Sequence, residues 1–129
     1  MSLPTKYDGY VPGRHLIDAY GGGGFRFADM SHKGSILLLP SGVSAWPAVS
    51  LAVVTPPSLK LLFAEPKGQV ELLLIGTGTE MGVVSELLKS RLREAGIRLE
   101  LMQTGAAART YNILVGENRK VAVALIAVD

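Results

Sequence analysis

Two short polar turns hold the residues whose types and spacing best suit ligand binding. Gly76-Thr77-Gly78-Thr79 follows one apolar run, and Gln103-Thr104-Gly105 follows another. Glycine lets backbone N–H groups approach a ligand closely, while threonine and glutamine side chains add further donors. Arg109 lies about one helical turn farther on and supplies a full positive charge. A phosphate or carboxylate would suit this set. The predicted ligand-binding residues are Gly76, Thr77, Gly78, Thr79, Gln103, Thr104, Gly105 and Arg109.

The glycine spacing of the first turn does not match the known nucleotide motifs. Gly76-x-Gly78-x-x-x-Gly82 has one residue too many for the dinucleotide fingerprint, and no Gly-Lys-Ser/Thr follows as a P-loop requires. Glu100 stands at a plausible distance for a ribose contact, but it alternates with Leu99 and Leu101 as an ordinary solvent-facing residue does. The need for glycine in tight βα turns explains the pattern better than nucleotide binding does.

Groups able to perform acid–base or metal chemistry are sparse. Glu80 is the only acid close to the two turns, and an acid in the first turn of a helix usually complements the helix dipole. His15 and His32 are the only histidines; neither has the spacing of a metal site or a catalytic relay, and both are predicted to be solvent-facing. The sequence therefore predicts no catalytic residue, metal or cofactor, and it favours a non-enzymatic role without excluding catalysis.

The elements that must position the two turns form a regular βαβαβ pattern. Strands are predicted at Val70 to Ile75, at Ile97 to Met102 and at Lys120 to Val128. Helices are predicted from about Glu80 or Val83 to Ala95, and from Thr104, as the cap, to about Val115. Apolar and charged residues alternate in Ile97 to Met102, which predicts an edge position for this strand. With right-handed crossovers, Val70 to Ile75 then lies between the other two strands and the two helices lie on opposite faces of the sheet.

The first half of the chain is predicted to be irregular and β-rich. Phe25 to Met30 and Ser35 to Leu39 are predicted to form a hairpin that turns through Ser31-His32-Lys33-Gly34. The glycine run before Phe25 is interpreted as a surface turn, since a phosphate loop would need a helix after it. Ser58 is predicted to cap a short helix that two prolines prevent from starting earlier. The apolar stretch Val49 to Val54 has two interpretations, an interface or core, and core is favoured.

Length and composition indicate one domain of the α/β class, spanning residues 1–129. It has a β-rich half (1–69) and a βαβαβ half (70–129), arranged in three layers around a mostly parallel central sheet that the first-half strands pack outside or extend. A net charge of +2 argues against a dedicated nucleic-acid binder, and the absence of cysteine excludes thiol chemistry. Pro47 to Phe63 is too interrupted to span a membrane, and Ser2 to Arg14 is unlike a secretory signal. A cytoplasmic protein, with or without docking on a membrane complex, is expected; its oligomeric state is left open.

Several segments carry more specific patterns, and the most specific is Ala106-Ala107-Ala108-Arg109-Thr110-Tyr111-Asn112-Ile113-Leu114. The others are Leu74-Ile75-Gly76-Thr77-Gly78, Ala95-Gly96-Ile97, Val121-Ala122-Val123-Ala124-Leu125-Ile126, Val43-Ser44-Ala45-Trp46 and Tyr20 to Ser35. Together they resemble the Mth-type domain-of-unknown-function family, which includes the mitochondrial complex I assembly factor 3 and the adipogenesis-associated Mth-domain-containing protein.

This resemblance implies a three-layer α/β fold, protein partners among respiratory-chain or membrane-complex subunits, and no established catalytic residue. The sequence departs from the family at two places. Relatives often have cysteine at the position of Ala108, and they tend to have an aromatic–proline pair where this chain has Met81 to Ser85. Two hypotheses follow: a non-enzymatic assembly factor that acts by protein–protein interaction, or a protein or enzyme that binds a small anion or nucleotide at the two turns.

Overall fold

The computed structural model describes residues 9–129 of the chain. Residues 1–8 lie outside the described residues, and with them about half of the segment Ser2 to Arg14 that is unlike a secretory signal. The strands are β1 Tyr10–Pro12, β2 Ala19–Gly21, β3 Gly24–Phe27, β4 Met30–Lys33, β5 Ile36–Leu38, β6 Gly42–Ala45, β7 Leu72–Gly76, β8 Arg98–Met102 and β9 Val121–Leu125. The α-helices are α1 Lys60–Phe63, α2 Glu86–Glu94 and α3 Thr104–Gly116, and 3-10 turns lie at Leu51–Val53 and Pro56–Leu59.

The central sheet has the order β1-β6-β5-β9-β7-β8. Strand β7 is parallel to both β8 and β9, whereas β5 is antiparallel to β9 and to β6. The predicted position of β7 between the other two strands of the βαβαβ half is therefore confirmed, as is β8 at an edge of this sheet. Strands β5, β6 and β1 of the first half extend the sheet, and β2, β3 and β4 form a separate small one.

Apolar side chains alternate between the two faces of the central sheet, and each face builds a core against a different helix. Helix α2 contributes Leu88 and Leu92 to the core on one face, which also contains Leu73 and Ile75 of β7. Helix α3 contributes Tyr111 and its alanines to the core on the other face. The three-layer α/β arrangement is confirmed, because α2 and α3 cover opposite faces of one sheet.

The hairpin predicted in the first half turns at a different place. Strand β4 includes Ser31, His32 and Lys33, and it pairs with β3 through Phe27 opposite Met30. Ala28 and Asp29 form the two-residue loop, with φ values of 49° and 60° as a tight hairpin turn requires. The polar residues of β4 hid this strand, because only Met30 and His32 face inward and Met30 is only partly buried. His32 is buried, and its Nε2 lies 2.8 Å from the Ser35 carbonyl oxygen. The prediction of a solvent-facing His32 was wrong.

The predicted helix starts also need correction. Helix α2 begins later than expected, at Glu86, where the Ser85 hydroxyl accepts a hydrogen bond from the Leu88 N–H at 3.2 Å. Leu88 and Leu92 of this helix are buried, whereas Leu87 is 57% exposed. Farther upstream, Pro56 begins a 3-10 turn instead of preventing one, since proline fits the first position of a helix.

Candidate functional site

The turn that follows β7 packs tightly at the carboxyl ends of the parallel strands. A Cβ atom built on Gly76 would lie 2.7 Å from Leu125 Cδ2 and 2.9 Å from Thr104 Cα. The Thr77 N–H donates to the Met102 carbonyl at 2.7 Å. Gly78 takes φ +95°, in the region that favours glycine. Glycine is required at position 76 by the packing of the protein itself.

Thr104 connects the two predicted turns from a fully buried position. Its hydroxyl accepts a hydrogen bond from the Gly78 N–H at 2.9 Å and donates to the Ile126 carbonyl at 2.7 Å. Its own N–H donates to the Gly78 carbonyl at 2.9 Å. The prediction of Thr104 as the cap of α3 was wrong: Gln103 occupies that position, and Thr104 holds the ends of β7 and β9 together.

Two further side chains of the turns also bond within the protein. Gln103 donates from Nε2 to the Thr79 carbonyl at 2.8 Å, and the Thr77 hydroxyl donates to the Glu80 carbonyl. The structure therefore brings Gly76 to Thr79 and Gln103 to Gly105 together, as the sequence predicts. However, these contacts occupy donors that an anion would need.

Arg109 makes its contact away from the first turn. It is exposed on α3, and its Nη1 donates to the Tyr20 hydroxyl of β2 at 3.2 Å. A Cβ on Gly105 would overlap that same Tyr20 ring, so glycine at this position makes room for the tyrosine. Asn112, one turn farther along, pairs with the backbone of Ile17, accepting its N–H at 2.9 Å and donating to its carbonyl at 2.7 Å.

An open cleft of about 440 Å³ borders the first turn. It is lined by Thr77 to Gly82, by Val49 to Leu51 and by Ile126 to Asp129. Val49 and Met81 at this cleft are 80% and 61% exposed, and Val83, two residues after Met81, is 78% exposed. Val49 and Met81 are called the apolar rim below. Val49 had been assigned to core; Val54, at the end of the same stretch, is buried as predicted.

The sequence favoured core over an interface for Val49 and did not indicate the exposure of Met81, because an apolar residue in a short irregular segment carries no periodicity to show its exposure. One feature of the sequence did point to the segment around Met81. Met81 to Ser85 is where the chain departs from its family resemblance, and the structure has no helix until Glu86. A surface segment can therefore expose Met81 and Val83 there.

Among residues 9–129, the Tyr111 hydroxyl is the titratable group whose pKa is strongly shifted. It donates to the His15 carbonyl at 2.8 Å beneath α3. Burial raises the pKa of Tyr111 to about 12, and the positive charge of Arg14 opposes this shift. Tyr111 and Ala108 both belong to the core on the α3 face, whereas none of the core residues of that face lines the cleft. The position where relatives often carry cysteine is thus a packing position in this chain.

Within residues 9–129, no group of three or more His, Cys, Asp or Glu side chains is arranged to hold a metal ion. The helices in this part of the chain are all too short or too polar to cross a membrane. The candidate site is a cleft beside the two polar turns, where the side chains of Thr77, Gln103 and Thr104 hydrogen-bond within the protein, and its edge carries the apolar rim.

Comparison with known proteins supports the family resemblance. A family model described as a protein of unknown function, DUF498/DUF598, matches residues 17–126. NADH dehydrogenase (ubiquinone) 1 alpha subcomplex assembly factor 3 from Mus musculus is 32% identical over 111 residues, which cover 85% of this chain and 59% of the mouse protein. The chain therefore spans less than two thirds of that relative's length.

Solved structures show the same fold. The crystal structure of a Bartonella henselae protein, described as an outer membrane protein, is 48% identical with a TM-score of 0.86, and the match covers 92% of this chain and 98% of that one. An NMR structure from Bordetella pertussis, described as an Mth938-like domain, is 29% identical with a TM-score of 0.75, and the match covers 98% and 92%. The Mth-type fold is therefore confirmed.

Proposed function

Because the chain belongs to the DUF498/DUF598 family of proteins of unknown function, we propose that it acts by binding a protein partner during the assembly of respiratory complex I. The similarity to complex I assembly factor 3 supplies the class of partner. The apolar rim is the observation that carries the mode of action. This role requires the chain to act at the membrane where complex I assembles, which is the docking on a membrane complex that the sequence leaves open.

The chemistry of the cleft favours a protein segment over a small anion. Val49, Met81 and Val83 present apolar surface at exposures of 61% to 80%. Removing such surface from water stabilises a complex by about 25 cal/mol per Å² before the costs of association. Below the apolar rim, the Gly78 N–H already donates to the Thr104 hydroxyl. A partner therefore does not need to supply a polar group to satisfy this donor.

Complementation of a strain that lacks this chain tests the proposal. We expect the deletion to lower the amount of assembled complex I in native gels, and the wild-type gene to restore it. Met81→Asp places a charge on the apolar rim, where Met81 is 61% exposed, and is expected to restore assembly poorly while the purified variant keeps the wild-type melting temperature. Ile113→Asp is the matched control, since Ile113 is 62% exposed on α3 in the opposite layer. Normal complex I in the deletion strain would contradict the proposal.

The alternative function is binding of a small anion or nucleotide at Gly76 to Thr79, Gln103 to Gly105 and Arg109. The cleft beside Thr77 to Thr79 favours it, and the internal hydrogen bonds of the turns and the contact of Arg109 with Tyr20 weaken it. A thermal-shift screen of nucleotides, phosphates and carboxylates tests it directly, because a bound ligand raises the melting temperature. Stabilisation that Gly78→Asp abolishes would favour the alternative over the assembly role.

A further inference from the structure

Strand β8 leaves one side open at the end of the central sheet. It pairs with β7 on its inner side, and no other strand of residues 9–129 pairs with it on the outer side. Such an edge presents unpaired backbone donors and acceptors, and it can accept another strand.

The register of β7 and β8 shows which backbone groups face outward. The Arg98 N–H donates to the Glu71 carbonyl at 2.9 Å, and the Met102 carbonyl accepts from the Thr77 N–H at 2.7 Å. Because hydrogen-bonding directions alternate along a strand, Glu100 also faces β7. Leu99 and Leu101 therefore direct their N–H and C=O groups toward the open side.

The exposed side chains of β8 carry opposite charges at a spacing of two residues. Arg98 and Glu100 have side chains that are 76% and 45% exposed, and their charged groups lie 3.7 Å apart. Leu99 and Leu101 are half-buried on the other face, where they pack against the core beneath α2. Strand β8 is thus apolar on one face. On its other face the charges Arg98 and Glu100 complement those of a second, antiparallel copy of the same strand.

We propose that a second copy of this chain pairs with β8 in antiparallel register, with Leu99 opposite Leu99 of the second copy. The two Leu99 residues then exchange N–H to C=O hydrogen bonds across the two-fold axis. Arg98 lies opposite Glu100 of the second copy, and Glu100 lies opposite Arg98, so two charge pairs form. On the other face Leu101 lies opposite Ile97, which extends the apolar layer through the dimer.

Charge selects this register over the adjacent ones. Centring the pair on Glu100 would also align outward-facing Leu99 and Leu101, but it places two Glu100 carboxylates directly opposite each other. Like charges at directly opposed positions destabilise a sheet. Centring the pair on Leu101 leaves Glu100 opposite Met102 with no counter-charge. The register on Leu99 is the one that pairs every charge of the strand.

Charge reversal tests the pairing of Arg98 with Glu100 between two copies of β8. A folding defect would not be repaired by a second reversal or by mixing two variants. Arg98→Glu gives a strand with two acids, and Glu100→Arg gives a strand with two bases. By sedimentation velocity from micromolar to millimolar protein, we expect wild type to dimerise. Each single variant is expected to raise the dimer dissociation constant on the order of tenfold or more. The double variant R98E/E100R restores complementarity and is expected to dimerise like wild type. Mixing the two single variants is expected to give a heterodimer.

Glu117→Arg and Arg26→Glu are the matched controls, because they make the same charge changes at exposed residues outside the central sheet. Both should dimerise like wild type. Three results would overturn the proposal: a wild type that stays monomeric at every concentration, single reversals that leave the dimer unchanged, or mixed variants that fail to associate. Pairing of β8 with a different protein instead of a second copy would appear as the first of these results.

Discussion

At the residue scale, the Thr104 hydroxyl is the buried side-chain group that links the two polar turns. It bonds to the Gly78 N–H and to the Ile126 carbonyl, and both contacts are buried. Sequence reasoning chose Thr104 correctly as a member of the turn cluster and assigned it the wrong role. Threonine before a helix is usually a cap, whereas here the strand ends beside it provide better partners.

Thr104→Val keeps the shape of this side chain and removes its hydroxyl. We expect it to lower the free energy of unfolding by about 2–4 kcal/mol, because a buried donor and a buried acceptor both lose their partner. Thr104→Ser keeps the hydroxyl and should cost about 1 kcal/mol through the lost methyl group. Urea denaturation measures both values. A Thr104→Val variant as stable as wild type would show that these hydrogen bonds contribute nothing.

The raised pKa of Tyr111 predicts that the protein loses stability at high pH. Its pKa is about 12 in the folded protein and close to its ordinary value of 10.0 in the unfolded chain. The folded state keeps the phenol proton over this interval while the unfolded state releases it. The stabilisation is therefore complete below pH 10 and is lost as the pH rises toward 12, by about 2–3 kcal/mol. Denaturation measured at successive pH values should show this slope in wild type and a smaller one in Tyr111→Phe.

Gly76 ends strand β7 and Gly116 ends helix α3, and alanine substitutions show which of the two glycines the packing requires. A Cβ at Gly76 would meet Leu125 and the backbone of Thr104, so Gly76→Ala should destabilise the protein by about 1–3 kcal/mol. Gly116 ends α3 with open space around its Cα and no positive φ. Gly116→Ala should be neutral or stabilise by about 0.5 kcal/mol through helix propensity. Thermal unfolding of the two variants gives the comparison.

At the scale of elements, regular periodicity decided which predictions succeeded. The strand-helix order after residue 70 was predictable because β7 and β9 are continuously apolar and α2 and α3 follow polar turns. The β3–β4 hairpin was not, because its loop is Ala28-Asp29 and not a glycine pair. A hairpin whose strands face solvent on one side has too few apolar residues to reveal its register.

At the scale of the whole molecule, the two halves of the chain share one sheet. Strand β5 of the first half lies between β6 and β9, with Leu37 opposite Ala124. The division at residues 69 and 70 is therefore one of sequence pattern, and we propose that residues 1–129 fold as a single unit.

Expression of residues 1–69 and 70–129 as separate fragments tests this unit. We expect each fragment alone to lack the circular dichroism and amide-proton dispersion of the intact protein, because β9 loses its neighbour β5 and both cores lose members from the first half. Mixing the fragments should recover part of the native signal. A native-like spectrum of 70–129 alone would show that the second half is an independent domain.

The sequence by itself determined the order of the βαβαβ elements, the layers they form and the place where the two polar turns meet, because these follow from local apolar periodicity and chain handedness. Only the tertiary structure decided what those turns can do. Thr104 uses donors of the first turn, Arg109 contacts Tyr20, and Val49 and Met81 stay exposed. Each of these outcomes depends on which distant segment lies beside a residue, and no short stretch of sequence contains that information.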